Sequence, residues 1–191
     1  MNLSADYCSN LGLAFNPSKS KVLVFSKSRV NLEELMEITL NGQVVKYVSS
    51  IKYLGASIVS DRGFCFLVAN DLRNFYRATN SILSSNHEPS EEVFMQLLYT
   101  NCVPIIAYAC DIKCYSARDM RDCNTALNHA IRKIFSFNRW ESVRTLRESC
   151  GMKSLYEIFA ISKRKFDDSI LVHPNSVLRL IRDIYDMSIE L

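Results

Sequence analysis

The side chains with the clearest chemical potential are cationic and crowded into one stretch. Residues 129–165 hold nine Lys/Arg against three Asp/Glu, in a chain of 191 residues whose formal net charge is only +3. Arg132, Lys133, Arg139, Arg144 and Arg147 are spaced so that several share helical faces. Trp140, the single tryptophan, lies among them. Guanidinium forks hold phosphates without reading sequence, and an exposed indole stacks on a base. The block therefore points to phosphate contact. A solvated helical surface has the same composition, and a lone tryptophan also suits a core, so both readings stay open. Lys163-Arg164-Lys165 either extends the patch or is a wet helix face.

Other chemistry finds less support. Phe166-Asp167-Asp168 pairs two carboxylates, the groups a two-metal phosphoryl-transfer site needs, but it lies inside a helical pattern that leaves them solvated. His87 sits in a polar loop, His129 on a helix and His173 before a proline, none beside a recognisable nucleophile motif. There is no glycine-rich phosphate loop. Cys110 and Cys114 are not followed by a second pair, so with Cys123 and His129 they lack zinc-site spacing, and no metal is expected. Seven cysteines, no apolar leader and no long uncharged apolar run fit an intracellular, reducing compartment, free and mostly buried thiols, and no membrane span. No stand-alone enzyme and no small-molecule cofactor are visible.

The elements that must position these residues fall into two kinds. Hydrophobic residues make up 48% and charged residues 23%, and glycine and proline number only 5 and 4, a globular and largely helical composition. Leu3, Tyr7 and Leu11 mark the end of a helix closed by Gly12. Lys21 to Phe25 reads as a buried strand. Ile38 to Val45 is a hairpin turning at Asn41-Gly42, and Ser50 to Ile58 is a third extended run with Gly55 marking a bulge or a close backbone approach. From about residue 62 the period changes to helical, through Leu83. Further helices are predicted from Ser90 to Tyr108 with a kink at Pro104, from Ser116 to about Phe137, from Glu141 to Cys150, from Ser154 to about Val172, and over 175–188. The fold class is α+β: a small antiparallel β-hairpin and sheet remnant at the N-terminus, then a mostly α-helical bundle. So small a sheet is marginal alone and reads as the edge of a larger domain.

Three segments resemble, in this order, the reverse transcriptases of non-LTR (LINE-type) retrotransposons. Tyr7-Cys-Ser-Asn-Leu-Gly-Leu-Ala-Phe-Asn-Pro-Ser-Lys-Ser-Lys-Val-Leu-Val-Phe25 looks like that family's fourth palm motif, a helix followed by Gly-Leu-x-x-Asn-x-x-Lys and a strand. Ile51-Lys-Tyr-Leu-Gly55 is similar to the primer-grip hairpin. Phe137-Asn-Arg-Trp-Glu-Ser-Val-Arg144, with Gly151 and Ser154-Leu-Tyr-Glu-Ile158, looks like the helical region after the thumb. The resemblance implies a palm edge over 1–61, a helical thumb over 62–137 and a post-thumb region over 138–191.

It also implies roles. Lys19, with Lys21 as a second candidate, would lie near the incoming triphosphate and hand a proton to the departing pyrophosphate; the alternative is a solvated turn lysine. Lys52, Tyr53, Leu54 and Gly55 would hold the primer's 3′ end. The bland alternative has Tyr53 and Leu54 packing the sheet against the first thumb helix, and for Leu54 that packing is expected in either case. The family's aspartates come from an upstream strand and from an aromatic-x-Asp-Asp hairpin, and neither is present in these 191 residues. The expectation is thus a fragment of an RNA-directed DNA polymerase, with Mg2+ belonging only to the intact enzyme. Alone it would at most bind an RNA/DNA primer–template duplex. The alternatives are a helical protein–protein interaction module and a non-functional retroelement relic.

Overall fold

A computed structural model of the chain describes residues 7–26, 28, 30–31, 34–60, 64–84, 89–178 and 180. The chain divides into two compact units, Met1–Leu67 and Val68–Leu191, and the fold class is α+β.

The first unit begins with a helical turn at residues 7–10. Leu13 N–H donates to the Cys8 carbonyl and Gly12 N–H to that of Ser9, with Gly12 at φ +68°. This is the paired closure that a left-handed glycine allows at a helix end. The next turn is tied by Asn16, whose Oδ1 accepts from the backbone N–H groups of Ser18 and Lys19. It delivers the chain into β1 (Lys21–Val22), which pairs in parallel with β3 (Gln43–Tyr47). β2 (Ile38–Leu40) pairs antiparallel on the other side of β3. The β2–β3 turn has Asn41 at φ 52° and Gly42 at φ 74°. Both central residues thus take the positive φ of a type I′ turn, as the Asn-Gly pair predicts.

A second sheet has the order β4-β5-β6. The run over 50–58 is a hairpin rather than one strand with a bulge. β4 (Ser50–Tyr53) and β5 (Ala56–Ser60) are joined at Leu54 (φ 45°) and Gly55 (φ 85°), with Tyr53 opposite Ala56. The predicted helix start near residue 62 is also corrected. β6 (Phe64–Phe66) pairs with β5, Ile58 opposite Phe66. Cross-strand pairing with β5, which buries Phe66, outweighs the helical spacing that continues from Leu67. Ala56, Ile58 and Phe66 form the buried cluster of this sheet, with Leu23 and Ile51 against it. The strand expected over 21–25 is shorter and more exposed than its β-branched content implies, for Phe25 is exposed.

The second unit is helical: α1 (Ala69–Leu83), α2 (Glu91–Leu97), a π-helical turn (Leu98–Cys102), α3 (Val103–Ala107), α4 (Ala117–Ile134), α5 (Arg144–Ser149) and α6 (Leu155–Leu171). The kink expected at Pro104 is this π turn. Proline brings no N–H to the carbonyl four residues back, and the register widens just before it, Val103 N–H donating to the Leu98 carbonyl. One buried core runs through Phe75, Leu98, Ile106, Leu127, Ile131 and Leu155. Residues 68–137 and 138–171 share it. α4 shows why: Cys123, Ala126, Leu127, Ala130 and Ile131 fall at helical spacing along its buried stripe. Ser116 and Asp119 at the start of α4, and Ser154 and Glu157 at the start of α6, both form the reciprocal capping boxes that their spacing predicts. Ser90 occupies the cap position of α2 but makes no side-chain cap bond.

Between α3 and α4 the chain is fastened by a buried ion pair. Lys113 Nζ lies 2.7 Å from Asp71 Oδ2 of α1, with side-chain exposures of 1% and 15%, and the ammonium also sits 5.7 Å from the Tyr108 ring centre. The Tyr115 hydroxyl donates to the Ile106 carbonyl at 3.0 Å. The helix predicted over 175–188 lies largely outside the described residues. No described helix is long and apolar enough to cross a membrane.

Candidate nucleic-acid interface

In the second unit, three of the predicted arginines share one open groove. Its volume is about 480 Å³, and Arg132 of α4 lines it together with Arg144 and Arg147 of α5. Asn128 and Asn124 line it too, one and two turns before Arg132 respectively. The three form a polar row at four-residue steps, half-buried along the margin of the α4 core stripe. Tyr156, at the start of α6, contributes an aromatic ring that is 53% exposed.

The arginines are held differently. Arg132 Nε donates to the Glu141 carbonyl at 2.9 Å, which ties the turn after α4 back onto the helix. Arg144 Nε donates to Glu148 Oε1, also at 2.9 Å, on an exposed face. The hydrogen bond from Arg144, with the added attraction of the charge pair, raises the guanidinium pKa above its ordinary value. Arg147 is half-buried; its Nε is buried and has no hydrogen-bond partner among the described residues. Two glutamates also line the groove. Glu148 is engaged by Arg144, and Glu157 accepts from the backbone N–H (2.6 Å) and the hydroxyl (2.7 Å) of Ser154. Those bonds, the hydroxyl first, hold the Glu157 carboxyl below its ordinary pKa, and the nearby Arg147 adds to the effect.

The remaining predicted cations lie outside this groove. Lys133 Nζ is 3.4 Å from Asn80 Oδ1 of α1. Arg139 is exposed on the turn between α4 and α5. Beside it, Trp140 is 82% exposed, which settles the choice between core and surface for this ring. Lys163 pairs with Asp167 at 3.4 Å on α6 and lies over the Phe166 ring. The Phe166-Asp167-Asp168 run is thus a helix face carrying a local ion pair.

The first unit holds the other predicted residues. Lys19 is exposed within the turn that Asn16 organises. Lys52 and Tyr53 end β4 on opposite faces: Tyr53 pairs with Ala56 on the face that carries Ile58, and Lys52 pairs with Ser57 on the other. Tyr53 is 61% exposed and Leu54 75%. Leu54 opens the β4–β5 turn. As the first residue of a two-residue turn, its side chain is carried off the end of the sheet. Gly55, at φ 85°, takes the second position without steric cost.

Sequence reading missed Asn124, Asn128 and Tyr156. The four-residue spacing of the two asparagines with Arg132 was the available signal. Tyr156 gave none, because it sits inside a capping-box segment whose helical role accounts for it.

No family model matches this sequence, and neither curated proteins nor solved structures give a match.

Proposed function

We propose that this chain is part of a non-LTR retrotransposon reverse transcriptase, and that these residues contribute grip on a primer–template duplex rather than polymerase chemistry. The observation that carries the reading is the open groove with Arg132, Arg144 and Arg147 on its wall, in a unit whose turn between α4 and α5 exposes Arg139 and Trp140. Further support comes from the first unit. A helix end, a turn bearing Lys19 and a strand follow one another, and the segment resembling the primer grip forms a hairpin with Lys52 and Tyr53 at its tip. The Asp pair that two-metal catalysis needs is not among the motifs of this sequence, so the reading assigns no polymerising step to it.

Fluorescence anisotropy with a labelled RNA/DNA hairpin, titrated over a series of salt concentrations, tests the reading. Four phosphate contacts would give a slope of log affinity on log salt of about −3.6, and each neutralised contact would flatten it by about 0.9. Lys133→Gln, Arg139→Gln and Arg144→Gln are the variants to use, since their side chains are exposed, with circular dichroism of each checking that the helices are retained. Absence of binding at low salt, or an affinity indifferent to salt, would overturn it.

One observation favours a second reading, a helical protein-interaction module. Leu171, Val172 and Val177 are all more than half exposed around the end of α6. Salt-insensitive association lost on Val172→Ser would support that reading over the first.

A further inference from the structure

The groove between α4, α5 and the start of α6 is built for more than a phosphate. Its volume of about 480 Å³ lies in the range of small-ligand sites, about 300–1,000 Å³, and is far too small to enclose a duplex. Its wall is chemically sorted. Arg144 and Arg147 supply guanidinium charge from one helix, the amides of Asn124 and Asn128 come from another, and Tyr156 brings an exposed ring from a third. Guanidiniums serve phosphates, side-chain amides pair with base edges through their donor and acceptor together, and an aromatic ring stacks on a base.

Hydrogen-bonding capacity on the same wall is unmet. Asn128 Oδ1 and Arg147 Nε are both buried without a hydrogen-bond partner among the described residues. Buried polar atoms are nearly always paired with protein, water or ligand, so an unpaired acceptor and an unpaired cationic donor on two residues that line one groove favour a polar occupant beside them. The two glutamates do not supply that partner. Glu148 is held by Arg144 and Glu157 by the Ser154 cap.

We propose that this groove seats a single unpaired nucleotide, with its phosphate on Arg144 and Arg147, its base against Tyr156, and the edge of the base facing Asn124 and Asn128. The ligand class rests on the nucleic-acid reading above, while the geometry stands without it. Three arginines against two glutamates leave a small positive excess. The site is therefore modest in affinity, and its strength is limited by Glu148.

Isothermal titration of the full chain with inorganic phosphate, AMP and a short single-stranded oligonucleotide, run beside the duplex titration, tests this. AMP should bind at least tenfold more tightly than phosphate and compete with the oligonucleotide. Tyr156→Ala should bring AMP down to the phosphate level while leaving phosphate itself unchanged. Arg144→Gln should weaken all three ligands. Glu148→Gln should strengthen all three, a change of sign that loss of folding cannot mimic. Circular dichroism of each variant checks that the helices are retained. AMP binding no better than phosphate, or unaltered by Tyr156→Ala, overturns the nucleotide pocket. Duplex binding without AMP binding overturns the pocket and leaves the duplex grip standing; AMP binding without duplex binding does the reverse.

Discussion

Breaking the Lys113–Asp71 pair from its two ends should give unequal losses. The groups are 2.7 Å apart, with the ammonium 1% exposed and the carboxylate 15%. Their gross attraction at that distance is about 6 kcal/mol at an effective dielectric of about 20, and desolvation of both groups offsets most of it. What remains depends on which partner is stranded. Asp71→Asn leaves a nearly waterless ammonium facing an amide, a loss of about 3–5 kcal/mol. Lys113→Met leaves a carboxylate with some access to water, in the first turn of α1, where the helix dipole favours an anion by about 0.3–1 kcal/mol. Its loss should be smaller, about 2 kcal/mol. The double replacement Asp71→Ala/Lys113→Met strands no charge and should recover at least about 1 kcal/mol of the Asp71→Asn loss. Urea unfolding followed by far-ultraviolet circular dichroism measures all three. Equal losses from the two single variants, or a double variant as costly as their sum, would refute the reasoning.

Other outcomes follow from the same geometry. Ser116→Ala should cost about 1 kcal/mol by opening the capping box of α4, measured by the same urea titration, whereas an exposed alanine change elsewhere on the helix should cost almost nothing. The Glu157 carboxyl, lowered by its bonds to Ser154, contributes stability that is present above its ordinary pKa of 4.5 and lost as pH falls through the lowered value. Acid titrations of the wild type and Ser154→Ala should therefore diverge most above that window and converge below it. Leu54→Asn should raise the stability of the β4–β5 hairpin by about 1 kcal/mol, since asparagine tolerates φ 45° better than leucine does; amide hydrogen exchange at Ile51 and Ile58, a hydrogen-bonded pair of this ladder, reads this directly. Burial pushes the Cys123 thiol from 9.0 up to about 12, so its contribution to stability is intact below pH 9 and declines as pH rises toward 12. Mass spectrometry after brief alkylation should accordingly find Cys65 and Cys114 modified in the native protein, with Cys102, Cys110 and Cys123 protected until it unfolds.

Legibility in the sequence varied with how local the determinant is. The Asn41-Gly42 turn and both capping boxes involve residues within four of one another, and all three stand where their spacing puts them. The π turn was half legible: Pro104 announces a break, but the direction in which the helix relaxes depends on the surrounding core. β6 was misread because Phe64 to Phe66 continues smoothly into helical spacing, and only pairing with β5 distinguishes a strand there. The arginines of the groove could be chosen from charge alone. That Arg132 joins Arg144 and Arg147 while Lys133 turns toward Asn80 follows from the rotation of α4 on its core, which composition does not carry. The buried Lys113 was invisible for the same reason, since its partner lies 42 residues earlier, at Asp71.

Trp140 has an experimental consequence. It is the chain's single tryptophan and stands 82% in solvent. Its indole is hydrated in the folded chain much as it is in the unfolded one, so its emission should barely move on denaturation. A nucleic acid laid across the Arg139–Trp140 turn would cover the ring and quench it. On the nucleic-acid reading proposed above, the residue serves as an optical gauge of occupancy that is nearly blind to unfolding, and a fluorimeter reading of untagged protein would separate docking from denaturation without a label.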